Sequence, residues 1–133
     1  EKIRTLLAID NKNNSLTFAG NVEEGETVRL CQTNHDRLVE GAGNAANLVM
    51  NGLSVSKTNQ VGLALCVSCV GRKGVMGENV SDEIKLVQQI LGSQTSVAGF
   101  YSYGEIAPRP NTTDSVLHNQ TMTIGYLSEN LLA

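Results

Sequence analysis

The sequence has no run of about 18 apolar residues, so no helix in it is long and apolar enough to span a bilayer. It has no basic run, and its net charge is −3. A phosphate-neutralising groove is therefore not expected, and nucleic acid is not an expected partner. Tryptophan is absent and there are only two prolines. Three cysteines, Cys31, Cys66 and Cys69, are too few and too irregular for a secreted disulfide framework. Reduced thiols in a cytosol are the simpler reading, and no secretory signal pattern contradicts it. The N-x-Ser/Thr matches at Asn111 and Asn119 are read as chance. The chain also lacks a G-x-S-x-G elbow, a P-loop and a G-x-G-x-x-G turn, which removes three common enzyme signatures. It starts at Glu1 without an initiator methionine and reads as a piece of a longer polypeptide.

What is present fits one folded domain over residues 1–133. The chain is 41% hydrophobic, too apolar for intrinsic disorder. Ile3–Ile9 and Leu16–Phe18 are short apolar runs around Asp10-Asn11-Lys12-Asn13-Asn14, which predicts a hairpin. Thr27–Cys31 alternates polar and apolar residues and predicts a third, half-buried strand. Leu38, Ala42, Ala45, Val49 and Leu53 recur at helical spacing behind a Thr33-Asn34 cap. Small residues from Ala42 to Ala46 predict close packing there. Val61–Val70 is almost continuously apolar and predicts a central strand, buried on both faces or covered by a partner domain. Gly71–Gly77 reads as a loop. A second helix follows over Ser81–Leu91, capped by Asn79 or Ser81, with Val80, Ile84, Val87 and Leu91 as its apolar face. Ser96–Ile106 and Val116–Leu127 read as strands around a polar, proline-containing loop. The order β-β-β-α-β-α-β-β predicts an α+β fold, a two-layer sandwich with a mixed β-sheet and two helices on one face.

Two segments concentrate polar chemistry. Phe100-Tyr101-Ser102-Tyr103-Gly104-Glu105 holds three of the five aromatic side chains, a bare backbone position and a carboxylate. His118-Asn119-Gln120-Thr121 opens an otherwise apolar strand, and four polar side chains are costly to bury unless paired. The bland readings are an aromatic core strand with an Arg72–Glu105 ion pair, and an edge strand wetted by solvent. Cys66-x-x-Cys69 on a strand points its thiols to opposite faces, so one metal cannot reach both. Small core hydrophobes are the better reading, and no metal site is expected. His35 beside Asp36 reads as a solvated helix start. Cys69, His118 and Glu105 could be drawn as a thiol triad, but only geometry identifies a triad.

Gly25 before Val28-Arg29-Leu30, Cys69-Val70-Gly71-Arg72, Gly99–Ile106 (GFYSYGEI) and Leu117–Thr121 (LHNQT) occur in an order that resembles the C-terminal half of the FIST family of sensory domains. The resemblance implies a cytoplasmic input module without catalysis. It would bind a small ligand such as an amino acid and bias an attached histidine kinase, diguanylate cyclase or chemoreceptor output. It also implies an N-terminal half of the same sensory domain as a partner, and heme with nitric oxide sensing in some members. His118 is the heme-ligand candidate. A module for interaction or dimerisation, with a homodimer as partner, is the alternative. The ligand site expected on this basis gathers Arg72, Tyr101, Tyr103, Gly104, Glu105, His118 and Asn119 on one cleft. Arg72 would take a ligand carboxylate and Glu105 an ammonium.

Overall fold

The computed structural model describes residues 2–53, 61–108 and 112–129. Asn111 and the tail 130–133 fall outside them. The chain opens with an antiparallel hairpin, β1 (Leu6–Asp10) and β2 (Ser15–Phe18). Its turn is built as the Asp/Asn sequence predicts. The Asp10 carboxylate accepts from the backbone N–H groups of Lys12 (2.8 Å) and Asn13 (3.2 Å). The Asn13 amide donates to it as well, and Asn14 sits at φ 49°. These donors favour the ionised carboxyl and hold Asp10 below its ordinary pKa, the Asn13 side chain most.

Thr27–Cys31 departs from expectation: it is no strand. Alternation marks a segment able to sit half-buried, but a strand needs a neighbour to take its backbone bonds. No strand among the described residues pairs with it, and Leu30 is left 89% exposed.

α1 (His35–Gly52) begins where its cap predicts. The Asn34 side chain accepts from Arg37 N–H at 3.0 Å. β3 (Val61–Cys69) follows, then a short helix α2 (Val70–Met76) where a loop is predicted. A 3₁₀ turn (Gly77–Val80) leads into α3 (Ser81–Leu91). No side chain caps α3, contrary to the Asn79 or Ser81 expectation, because the 3₁₀ turn feeds it directly. Each remaining predicted strand breaks in two. Ser96–Ile106 becomes β4 (Thr95–Ser102) and β5 (Glu105–Pro108). Val116–Leu127 becomes β6 (Ser115–His118) and β7 (Met122–Glu129), with Gln120 at φ 59° in the turn between them.

The main sheet has the order β4-β3-β7, with β4 parallel and β7 antiparallel to β3. It is mixed, as expected, and β3 is central. β5 and β6 form a separate antiparallel pair. α1 and α3 cover one face of the sheet. Ala42 and Ala46 of α1 and Val87 and Leu91 of α3 meet Ala64 and Cys66 of β3 and Met122 of β7. The small residues of α1 let the helices approach: a Cβ on Gly43 would lie 2.7 Å from Leu86 Cδ2 of α3. The result is the predicted two-layer α+β sandwich.

β3 is covered on one face only. Ala64, Cys66 and Ser68 are buried, while Val61, Leu63 and Leu65, on the alternate positions, are exposed. Nothing among the described residues covers that second face.

Candidate functional site

The expected cleft does not assemble as one site. Strand alternation sends Tyr101 to the helix-covered side of the sheet, and Ser102, two residues after Phe100, to the open side. Two polar clusters form, with the sheet between them.

On the helix side, Arg72 and Glu83 are the pair. Arg72 Nη2 and Nε donate to Glu83 Oε2 at 2.6 and 3.1 Å. Arg72 Nη2 also donates to Leu38 O at 2.8 Å, and Nη1 to Gln120 O at 3.4 Å. Glu83 Oε1 accepts from Tyr101 Oη at 2.9 Å and Ser68 Oγ at 3.1 Å. Both charged groups are essentially out of solvent, Arg72 at 2% and Glu83 at 0%. These bonds turn Val70–Met76 into a helix, because they anchor its first turn to α1, α3 and the β6–β7 turn. Burial, and then the neighbouring Glu83 carboxylate, push the Tyr101 phenol up to about 12. The Lys73 ammonium stands 5.5 Å from the Tyr101 ring centroid. A cleft of about 190 Å³ opens beside this cluster at the β4 edge, lined by Ser68, Glu83, Val97, Gly99 and Tyr101 among others. Burial raises the Cys66 thiol, which also lines it and so is not an activated nucleophile.

On the open side, Glu105 is 1% exposed. Thr121 Oγ1 donates to its Oε2 at 2.9 Å, and Ser102 Oγ lies 2.9 Å from Oε1 and 3.1 Å from Gly104 O. No cation pairs with it among the described residues. Arg72 therefore does not pair with Glu105, and each of its three nitrogens already has a protein partner. It is not free to take a ligand carboxylate.

Glu105 and His118 do face each other in the β5–β6 register, as the hairpin predicts. But the His118 imidazole donates from Nε2 to Ala107 O at 3.0 Å. Asn119, 2% exposed, accepts from Thr5 N–H through Oδ1 at 3.1 Å. Gly104 lies against Leu117, and Tyr103 is 90% exposed. The polar run His118–Thr121 is thus a knot: it ties β5, the N-terminal hairpin, α2 and Glu105 to one turn. Within that run, Gln120 Oε1 alone is left buried without a partner among the described residues. Cys69, His118 and Glu105 make no hydrogen bond to one another, so no thiol triad is assembled among the described residues.

The described residues offer no site that fits a heme. His118 Nε2 is engaged by the Ala107 carbonyl, and the cleft of about 190 Å³ by Tyr101 is too small for a macrocycle. A wider concavity of about 490 Å³ along β2, from Leu16 to Glu23, offers no His, Cys, Met or Tyr as an axial ligand. No group of three or more His, Cys, Asp or Glu is placed to hold a metal among the described residues.

Sequence reasoning missed Glu83 and Ser68. The signal for Glu83 was there: it stands at the helical spacing of Val87 and Leu91, an acid on the apolar stripe in place of Ile84. Such a position calls for a buried cation.

The model of the FIST C domain matches residues 1–108. The chain belongs to the FIST C family. FIST C domains are sensory domains of signal transduction. The match includes Gly99–Ile106, which carried the resemblance, and stops short of Leu117–Thr121. No curated protein and no solved structure matches the chain. Among the described residues of this FIST C chain, no helix is long and apolar enough to cross a membrane.

Proposed function

We propose that this FIST C chain is the cytoplasmic, non-catalytic input part of a longer signalling protein. It binds a small amine-bearing metabolite, an amino acid being the simplest, and biases an attached kinase, cyclase or chemoreceptor output. The N-terminal half of the sensory domain is its expected companion. The observation that carries the reading is Glu105: a carboxylate 1% exposed, held by two hydroxyls and paired with no cation among the described residues. An ionised carboxylate out of water is costly without a counter-charge. A ligand ammonium would supply it, through a charge-assisted bond worth about 1.5–3 kcal/mol. Asn119, its amide taken up by Thr5 N–H and the His118 carbonyl, holds the turn rather than a ligand. Tyr103 and Gly104, next to Glu105 in the chain, and His118, facing it across the β5–β6 pair, remain the proposed ligand contacts. Arg72 and Tyr101 act from beneath the sheet by fixing the Gln120 carbonyl and β4. Ligand binding then shifts the population between two settings of the His118–Thr121 turn, which the output reads.

The test is calorimetric titration with a panel of free amino acids and simple amines. Binding that Glu105→Gln weakens about tenfold or more, at a nearly unchanged melting temperature, supports the reading. Binding that survives Glu105→Gln refutes it, as does an intact chain that binds no amine.

A further inference from the structure

β4 lies at one edge of the main sheet, and nothing in its sequence guards that edge. Among the described residues its one strand partner is β3. Gly62 N–H donates to Gln94 O, so by alternation Ser96, Ala98 and Phe100 turn their backbone groups to β3. The N–H and C=O groups of the residues between them, Val97, Gly99 and Tyr101, point outward. Gln88 closes the start of the edge by donating to Thr95 O at 2.9 Å. Beyond Thr95 the edge is open. Natural edges are blunted by charged side chains, proline or bulges. Thr95–Ser102 has no charged residue and no proline, and its register with β3 runs without a shift. An edge of this kind accepts an added strand, whose alternate side chains then enter whatever pockets flank it.

The same chain carries a segment with strand alternation and no neighbour. Thr27–Cys31 follows the turn at Glu24 and Gly25, with Val28 67% and Leu30 89% exposed. Laid antiparallel along β4 with Leu30 opposite Gly99, it matches the edge residue by residue. Leu30 enters the gap left by the missing side chain of Gly99, in the cleft of about 190 Å³ that Val97 and Ile84 also line. Val28 comes beside Tyr101 on the same face. On the other face Arg29 meets the exposed Phe100 ring, which a guanidinium can stack on, and Cys31 meets Ala98. Glu26, one strand repeat past Val28, comes towards Lys73. That ammonium stands 5.5 Å from the Tyr101 ring centroid and pairs with no carboxylate among the described residues. A parallel strand would carry Glu26 to the far end of the edge, at Thr95, and Arg29 to Ala98. Charge and bulk together therefore select the antiparallel direction. In the single chain the segment is not paired with β4, so a second copy supplies it.

We propose that the free edge of β4 takes Thr27–Cys31 of a second copy of this chain as an added antiparallel strand, with Leu30 in the cleft at Gly99.

The register gives the test. Cys31 and Ala98 form a non-hydrogen-bonded pair with Cα atoms about 4.5 Å apart, within reach of a disulfide. The buried Cys66 and Cys69 stay out of the exchange. Ala98→Cys, mildly oxidised at about 100 µM chain, should link its new thiol to Cys31 of another copy. Mass spectrometry on a mixture of isotope-labelled and unlabelled chains should map that bridge between copies. Ser96→Cys, on the same face but about 8 Å from Cys31, should give no such bridge. Adding Leu30→Asp to Ala98→Cys should cut the yield about tenfold or more, with unchanged far-ultraviolet circular dichroism. An Ala98→Cys chain that forms no bridge to Cys31 overturns the proposal. So does a bridge within one chain, which would make the segment a strap on its own edge. A yield that Ser96→Cys equals, or that Leu30→Asp leaves intact, also overturns it, since exposed thiols would then be meeting by random collision.

Discussion

Removing Glu83 should be the most damaging change of one surface-free side chain in this protein. Glu83→Ala deletes the acceptor of two Arg72 bonds, at 2.6 and 3.1 Å. The guanidinium stays 2% exposed, with only the Leu38 and Gln120 carbonyls to hold it. It also strips Tyr101 Oη and Ser68 Oγ of their acceptor. Breaking a buried pair from one side costs about 3–5 kcal/mol, because an unpaired charge is left in the core. For a chain of this length, each kcal/mol moves the melting temperature by roughly 4 °C, so a fall of about 12–20 °C is expected. The double variant Arg72→Met/Glu83→Leu removes both charges and fills the space with apolar atoms. It should recover most of the loss, since a buried pair contributes little net stability over a hydrophobic isostere. Thermal and urea denaturation followed by circular dichroism measure both. A single-variant loss below about 1 kcal/mol would refute the assignment of this pair as the anchor of α2. A double variant no better than Glu83→Ala would refute the argument from an uncompensated charge.

Asn119→Ala removes the acceptor of Thr5 N–H and should cost about 1–3 kcal/mol. Amide exchange should speed up through the β1–β2 hairpin first, and uniform loosening of the chain would count against a local tie. His35 bridges helices, with Nδ1 3.0 Å from Asp36 and Nε2 3.3 Å from Asp82 of α3. Asp36 most, then Asp82, raise its pKa above the ordinary 6.5. A raised folded pKa adds stability that is complete below the unfolded value and lost as pH rises through the folded one. The urea midpoint should therefore decline above pH 6.5, and His35→Gln should flatten that slope. An imidazole that titrates at or below 6.5 by NMR would exclude this linkage.

The parts of the fold legible in the sequence were those set by local pattern. Asp10 announced its turn because its carboxylate acts within three residues, and Asn34 announced α1 for the same reason. The small residues of α1 and the apolar run of β3 marked the helix-sheet contact correctly. Thr27–Cys31 misled because alternation reports how a strand would sit, not whether a neighbour exists. α2 was invisible because two glycines disfavour a helix locally, and Arg72 overrides them through partners 11, 34 and 48 residues away. In the candidate site, Glu105 and His118 were correctly placed across a hairpin, a local relation. Arg72 was placed on the wrong side of the sheet: which face a residue past a strand end takes depends on the tertiary partner, here Glu83.

The His118–Thr121 turn also sets an order of assembly. Its bond to Thr5 spans 114 residues of chain. The hairpin β1–β2 leaves a ribosome before the other elements described here, and its residues are almost all exposed in the finished fold. Its tie to the rest of the fold cannot form until the β6–β7 turn emerges. During synthesis it must wait, while α1, β3 and α3 can already collapse on one another by shorter closures. Of these elements, the first to be made is thus fastened only after α1, β3 and α3 can have come together. A nascent chain stalled before Asn119 would carry a loose apolar arm, Leu7 and Ile9 included, which is the state in which a chaperone would find it.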